Sequence, residues 1–127
     1  MIPKSWKAPV EVKVTAALLV GLGLAWVVEV VVLMLAPGAS LRSFLLPVTG
    51  LILGGVVVTG LALKMPTARY GGFAVVVIFA LVHALILLAA ELVWIKLVSG
   101  VLFAGYVYTG VLLNSMPLRR YLLGADA

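Results

Sequence analysis

Residues 48–63 read VTGLILGGVVVTGLAL, and residues 98–113 read VSGVLFAGYVYTGVLL. Neither stretch contains a charged residue, and each approaches the roughly 20 apolar residues that a helix needs to cross a bilayer. Two other blocks of the chain have the same apolar character. The sequence therefore predicts an all-α integral membrane four-helix bundle. Its spans are expected at about residues 14–35, 44–63, 73–90 and 97–113.

The composition supports this class and excludes others. Of the 127 residues, 65% are hydrophobic and 10% are charged, whereas soluble proteins are near half apolar and a quarter charged. The net charge of +5 comes from nine Lys and Arg that flank the apolar blocks, so no nucleic-acid partner is expected. The chain has no cysteine, which excludes disulfides, thiolate metal sites and a cysteine nucleophile.

The two quoted stretches look like copies of one another. They align without a gap and share the pairs Gly50/Gly100, Thr59/Thr109 and Leu63/Leu113, among others. After a one-residue insertion the match continues into a shared ending. Met65, Pro66, Arg69 and Tyr70 correspond there to Met116, Pro117, Arg120 and Tyr121.

A weaker match of spans 1 and 3 pairs Glu29 with His83. The sequence thus predicts a single four-span domain made of two helical hairpins, residues 14–70 and 71–121, in the same orientation. The alternative is a duplication that was kept only for packing.

The distribution of positive charge predicts the orientation. With four spans, both tails and the middle loop share one side, which holds seven of the nine basic residues. These seven are Lys4, Lys7, Lys13, Lys64, Arg69, Arg119 and Arg120. Short cytoplasmic segments are enriched in Lys and Arg. We therefore expect both termini in the cytoplasm and a multi-pass protein of the cell inner membrane.

Small residues recur at four-residue spacing along three spans. They are Gly50 and Gly54 in span 2, Gly100 and Ala104 in span 4, and Ala17, Gly21 and Ala25 in span 1. In lipid, such residues let helix backbones approach closely. Contact within the monomer is the preferred interpretation, and an interface with another protein is the alternative.

Glu29 and His83 are the polar residues that most need an explanation, because ionisable side chains inside a membrane are costly and usually functional. Glu29 follows Ala25 by one helical turn, so we expect it to face protein rather than lipid. The hypothesis is a polar intramembrane pair, joined by a hydrogen bond or an ion pair. The pair would act as a structural clamp, within the chain or to a partner subunit, or as a relay for protons or cations.

A superficial resemblance bears on His83. The segment FALVHALILLAAELVW, residues 79–94, looks like the pigment-binding helix of bacterial light-harvesting polypeptides. That resemblance implies a haem or chlorophyll ligand at His83, although the chain has no second histidine for a bis-histidine haem. The main expectation is that the protein holds no cofactor and no metal.

The C-terminal segment LLNSMPLRRYLL, residues 112–123, resembles the ends of small four-helix bacterial inner-membrane proteins. That resemblance implies the layout of the chain and supplies no catalytic residue. Arg119 and Arg120 are expected to meet anionic lipid headgroups, at about 1 kcal/mol per charge. The chain has no serine–histidine–aspartate set, no phosphate-binding loop and no dinucleotide fingerprint, so an enzyme is not expected.

Two functions remain at this stage. The leading hypothesis is a non-enzymatic accessory or structural subunit of a larger membrane complex, for example a respiratory or photosynthetic one. Its partners would be the lipid bilayer and other membrane subunits. The alternative is a small homo-oligomeric transporter or channel that uses Glu29 and His83.

Overall fold

A computed structural model describes residues 7–35, 38 and 41–124, and Lys4 lies outside this part of the chain. The described residues form helices and no strands. Four helices are long and apolar enough to cross a membrane, as predicted for a multi-pass membrane protein. They are α1 (Val10–Leu33), α2 (Leu45–Ala62, preceded by a 3-10 turn at Leu41–Phe44), α3 (Thr67–Ala89) and α4 (Val93–Leu113). A short fifth helix, α5, spans Met116–Leu123.

Three helices begin earlier than the sequence predicts. The carbonyl of Pro9 accepts hydrogen bonds from the next turn, so α1 begins at Val10 instead of residue 14. Pro66 precedes the first residue of α3, and its φ of −58° suits a helix start, so α3 begins at Thr67 instead of residue 73. These three helices, including α4, which begins at Val93 instead of residue 97, therefore extend beyond their apolar cores into polar turns.

The four long helices form a square bundle of alternating direction. α1 packs against α2 and α4, and α3 packs against the same two helices. The most extensive contacts are α1 with α2 and α3 with α4, which are the two hairpins that the sequence predicts. α1 and α3 therefore face each other across the centre, which large side chains must fill. The cytoplasmic location of the termini stays a prediction.

The end of α2 is closed by its own backbone. Lys64 has a φ of +56°, and the amide of Met65 donates to the carbonyl of Gly60 at 2.9 Å. The amide of Lys64 donates to the carbonyl of Leu61 at 3.1 Å. This pattern is the Schellman ending, which normally places glycine at the left-handed position. The short turn it creates sends the chain directly into α3.

The end of α4 is closed by a side chain from the start of α3. Arg69, in the first turn of α3, donates through Nε to the carbonyl of Leu113 at 3.1 Å. One terminal nitrogen of Arg69 donates to Oδ1 of Asn114 at 2.8 Å. The last carbonyls of a helix lack intrahelical partners, so this cation satisfies one of them and joins the start of α3 to the end of α4.

Candidate functional site

Four aromatic rings meet at the centre of the bundle. Trp26 in α1 and His83 in α3 each stand 16 residues after the first residue of their helix, which places them at one height. Their ring centroids are 4.4 Å apart. The ring of Tyr106, in α4, stacks on His83 at 5.7 Å, with an interplanar angle of 18°. Phe79 contacts both Trp26 and Tyr106, so three helices build this aromatic layer.

Polar atoms in this interior have no hydrogen-bond partner among the described residues. They are Nδ1 and Nε2 of His83, the hydroxyl of Tyr106, Oγ of Ser99 and Oε2 of Glu29. All four side chains are buried, with exposed fractions of 6% or less. A buried polar group left unsatisfied costs about 1–3 kcal/mol. Each of these groups can still make hydrogen bonds, so together they form a candidate polar site.

These polar side chains occupy two levels of the bundle. His83 and Tyr106 lie in the aromatic layer. Ser99 precedes Tyr106 by seven residues on α4, which is two turns, or about 10 Å along the axis. Glu29 follows Trp26 by one turn on α1. Because α1 and α4 run in opposite directions, Glu29 and Ser99 both lie toward the end that holds the α1–α2 and α3–α4 turns.

The structure places Glu29 and His83 inside the same bundle but does not join them. Neither nitrogen of His83 has a hydrogen-bond partner in the described part of the chain, so the predicted direct bond to Glu29 is not made. On α1, the ring of Trp26, one turn before Glu29, lies against the imidazole of His83.

Two of the seven small residues expected at helix contacts are tightly packed. A Cβ added at Gly54 would stand 2.7 Å from the carbonyl oxygen of Leu19, so α1 and α2 approach backbone to backbone there. A Cβ added at Gly50 would meet the ring of Phe79 at 3.3 Å. Both contacts lie within the monomer, as the preferred interpretation proposed.

The other five small residues do not have this role. Exposed positions are Ala17, Gly21, Ala25 and Ala104, and a Cβ at Gly21 would meet nothing within 4 Å. Gly100 is half-buried, with the nearest contact, to Leu87, at 3.8 Å. Other glycines make the close approaches instead: a Cβ added at Gly23 would stand 2.9 Å from Cα of Leu51, and one added at Gly105 would stand 2.6 Å from a side-chain carbon of Leu22. Four-residue spacing places small residues on one side of a helix, but it does not determine whether that side faces the bundle interior.

The sequence did not lead to Trp26, Ser99 or Tyr106 as site residues. The spacing of the polar residues in α4 could have identified two of them. Ser99, Tyr106 and Thr109 fall on one helix face, and all three are buried. Polar side chains that share a face of a membrane helix usually point toward protein.

Positive charge collects at one end of the bundle, here called the basic end. It holds Lys7, Lys13, Lys64, Arg69, Arg119 and Arg120, with Glu11 as its acidic residue among those described. Arg120 is exposed on α5, whereas Arg119 is half-buried and lies 3.7 Å from Sδ of Met116. The opposite end holds Arg42, Lys96 and Glu91.

No group of three or more His, Cys, Asp or Glu that could hold a metal ion occurs among the described residues. His83 exposes none of its surface, so a haem or chlorophyll would reach its nitrogens only after the aromatic layer opened. A comparison of the chain with protein-family models, with curated proteins and with solved structures finds no match.

Proposed function

We propose that this protein transfers protons across the membrane along the polar side chains inside its bundle. The observation that carries the proposal is the set of unpartnered, buried atoms on Glu29, Ser99, His83 and Tyr106. Ionisable residues at membrane depth are expensive, and chains of Asp, Glu and His are typical of proton relays. A purely structural core would satisfy these groups with one another.

Each side chain has the chemistry that a relay requires. A neutral imidazole accepts a proton at one nitrogen and releases one from the other, and the hydroxyls of Tyr106 and Ser99 both donate and accept. A carboxyl group such as Glu29 takes up and releases protons directly. The bundle centre is filled by aromatic rings, so protons rather than hydrated ions fit this interior.

The relay continues toward the basic end through Thr109, one turn beyond Tyr106. The hydroxyl of Thr109 is fully buried and donates to the carbonyl of Gly105 at 2.7 Å. Its oxygen keeps lone pairs that accept a proton from a neighbouring group or water. In the other direction, Glu29 and Ser99 extend the polar side chains toward the opposite end.

The proposal is tested with purified protein in liposomes that contain a pH-sensitive dye. A potassium gradient with valinomycin sets the membrane potential, and the rate of internal pH change reports proton flux. We expect flux above that of empty liposomes, reduced at least tenfold by Glu29→Gln and His83→Gln. Gln keeps the approximate size and the hydrogen-bonding capacity of each side chain while removing its titration.

Matched controls separate the relay from general damage. Tyr106→Phe should slow the flux, whereas Tyr108→Phe should not, because Tyr108 is 53% exposed on the same helix. Glu91→Gln, at an exposed turn residue, serves the same purpose for Glu29→Gln. Wild-type flux equal to that of empty liposomes would refute the proposal, as would full flux in the Glu29→Gln/His83→Gln double variant.

A second candidate is the accessory subunit of a larger membrane complex. The observation that favours it is the outward position of Ala17, Gly21 and Ala25, which are all exposed on α1. Small residues suit close helix contacts, and this stripe makes none within the monomer at Gly21. A partner helix on this face would explain the spacing.

Purification in mild detergent followed by mass measurement tests the second candidate. We expect larger subunits to co-purify with the wild-type chain and to be lost from Gly21→Leu, while Gly55→Leu, another open glycine, retains them. A wild-type preparation that contains only this chain would contradict an accessory role.

A further inference from the structure

A cleft of about 380 Å³ lies between α2 and α3 near the basic end, away from the aromatic layer. It is lined by Val56, Thr59 and Gly60 of α2, by Met65 of the turn, and by Thr67 and Gly71 of α3. Ligand sites in proteins typically measure about 300–1,000 Å³, so the cleft is large enough for part of a ligand.

Glycine residues, which have no side chain, create the cleft. Gly60 approaches α3 so closely that an added Cβ would stand 2.9 Å from Cβ of Ala68. The helices therefore touch at this point, and the hollow opens beside it. Gly71 leaves space on the α3 side, where an added Cβ would have its nearest contact, Val57, at 3.8 Å.

The walls of the cleft suit hydrocarbon. Val56 and Met65 line it and remain 62% and 46% exposed, so the cleft opens outward rather than into the bundle. The hydroxyl of Thr59 donates to the carbonyl of its own helix at Gly55, at 2.9 Å, and so makes little demand for a polar ligand. On a helix that crosses the membrane, an outward apolar cleft faces the acyl chains of lipids.

The positive charge near the cleft favours a lipid with an anionic headgroup. Lys64 immediately precedes the lining residue Met65, and its ammonium lies 5.0 Å from the ring centre of Tyr121 on α5. Arg120, also on α5, is exposed. The six described cations of the basic end, against one carboxylate, give this end a positive field that attracts anionic lipids.

We propose that this cleft binds one acyl chain of an anionic phospholipid, with the headgroup phosphate at Lys64. The apolar walls hold the chain, and the lysine distinguishes an anionic headgroup from a zwitterionic one. The proposal is independent of proton transfer, because none of its residues belongs to the polar interior.

Native mass spectrometry of the detergent-purified protein tests the lipid site. The protein is mixed with phosphatidylglycerol or phosphatidylcholine that carry the same acyl chains, at equal concentration. We expect one phosphatidylglycerol to remain bound and phosphatidylcholine to be largely lost. Lys64→Gln should lower the preference for phosphatidylglycerol about fivefold, as expected for the loss of one charge near a membrane surface.

A plugged cleft provides the sharper test. Gly71→Leu places a side chain in the hollow without a close contact at its Cβ, and should reduce lipid retention at least fivefold. Gly21→Leu, at an open glycine of α1, should retain lipid like the wild type. Val56→Phe provides a second plug if Gly71→Leu does not fold. Equal retention of the two lipids, or unchanged retention in a folded plugged variant, would overturn the proposal.

Discussion

α2 and α4 share residues at many matched positions, yet they turn opposite faces toward the bundle centre. α2 buries Gly54 and Val57, whereas the matched Ala104 and Val107 of α4 are exposed. In return, α4 buries Leu113, while its counterpart Leu63 is 67% exposed. Thr109 is likewise buried and Thr59 exposed. The shared residues therefore determine that a span forms, but not how it is rotated.

The two helices are rotated differently because each has different residues to bury. Both helices are apolar on every side, and lipid accepts any apolar face, so hydrophobicity alone sets no rotation. In α4 the polar side chains of Ser99, Tyr106 and Thr109 turn inward because lipid offers them no partner. In α2 the glycines turn inward because they allow the backbones to meet at Leu19.

The strongest test of this difference replaces one leucine by alanine at the end of each helix. Leu113 is fully buried, so Leu113→Ala should lower the free energy of unfolding by about 2–5 kcal/mol through the cavity it leaves. Leu63→Ala, at the matched exposed position, should change it by less than about 0.5 kcal/mol. Unfolding by SDS in mixed micelles, followed by circular dichroism, measures both. Equal losses would show that the two helices are not rotated relative to each other.

The matched arginines that follow α2 and α4 also differ in their surroundings. Arg69 donates two hydrogen bonds at the end of α4, so Arg69→Met should cost about 1.5–3 kcal/mol. Arg120, its counterpart in the predicted repeat, is exposed on α5, and Arg120→Met should have little effect on stability. The same unfolding assay measures both variants. A larger loss for Arg120→Met would reverse the proposed roles of the two arginines.

The smallest expected effect comes from exchanging one residue of α2 for its α4 counterpart. Gly54→Ala gives α2 the alanine found at residue 104, but the new Cβ would stand 2.7 Å from the Leu19 carbonyl. Separating α1 from α2 should cost about 1–3 kcal/mol. Gly55→Ala, where the Cβ meets nothing within 4 Å, should be neutral or stabilising by up to about 1 kcal/mol. A neutral Gly54→Ala would argue against the close approach.

The sequence was sufficient to predict the four spans, because their apolar length leaves few alternatives. It also identified Glu29 and His83 as the residues to examine, because polarity inside a span is rare. The neighbours of His83, such as Trp26, depend on how the helices are rotated, which only tertiary packing determines. α5 was missed because it is short and its polar pattern resembles that of a tail.

The hydrogen bonds between Arg69 and the end of α4 can form only after both parts of the chain have been synthesised. A ribosome completes residue 69 well before residues 113 and 114, so the guanidinium has no α4 carbonyl to bind when the first hairpin emerges. Until then it must stay hydrated at the membrane surface, which restrains α3 from sinking into the bilayer. Insertion of α4 releases that restraint. The contact between α3 and the end of α4 therefore forms only after residues 113 and 114 have been made, and a chain that stops before residue 113 lacks it.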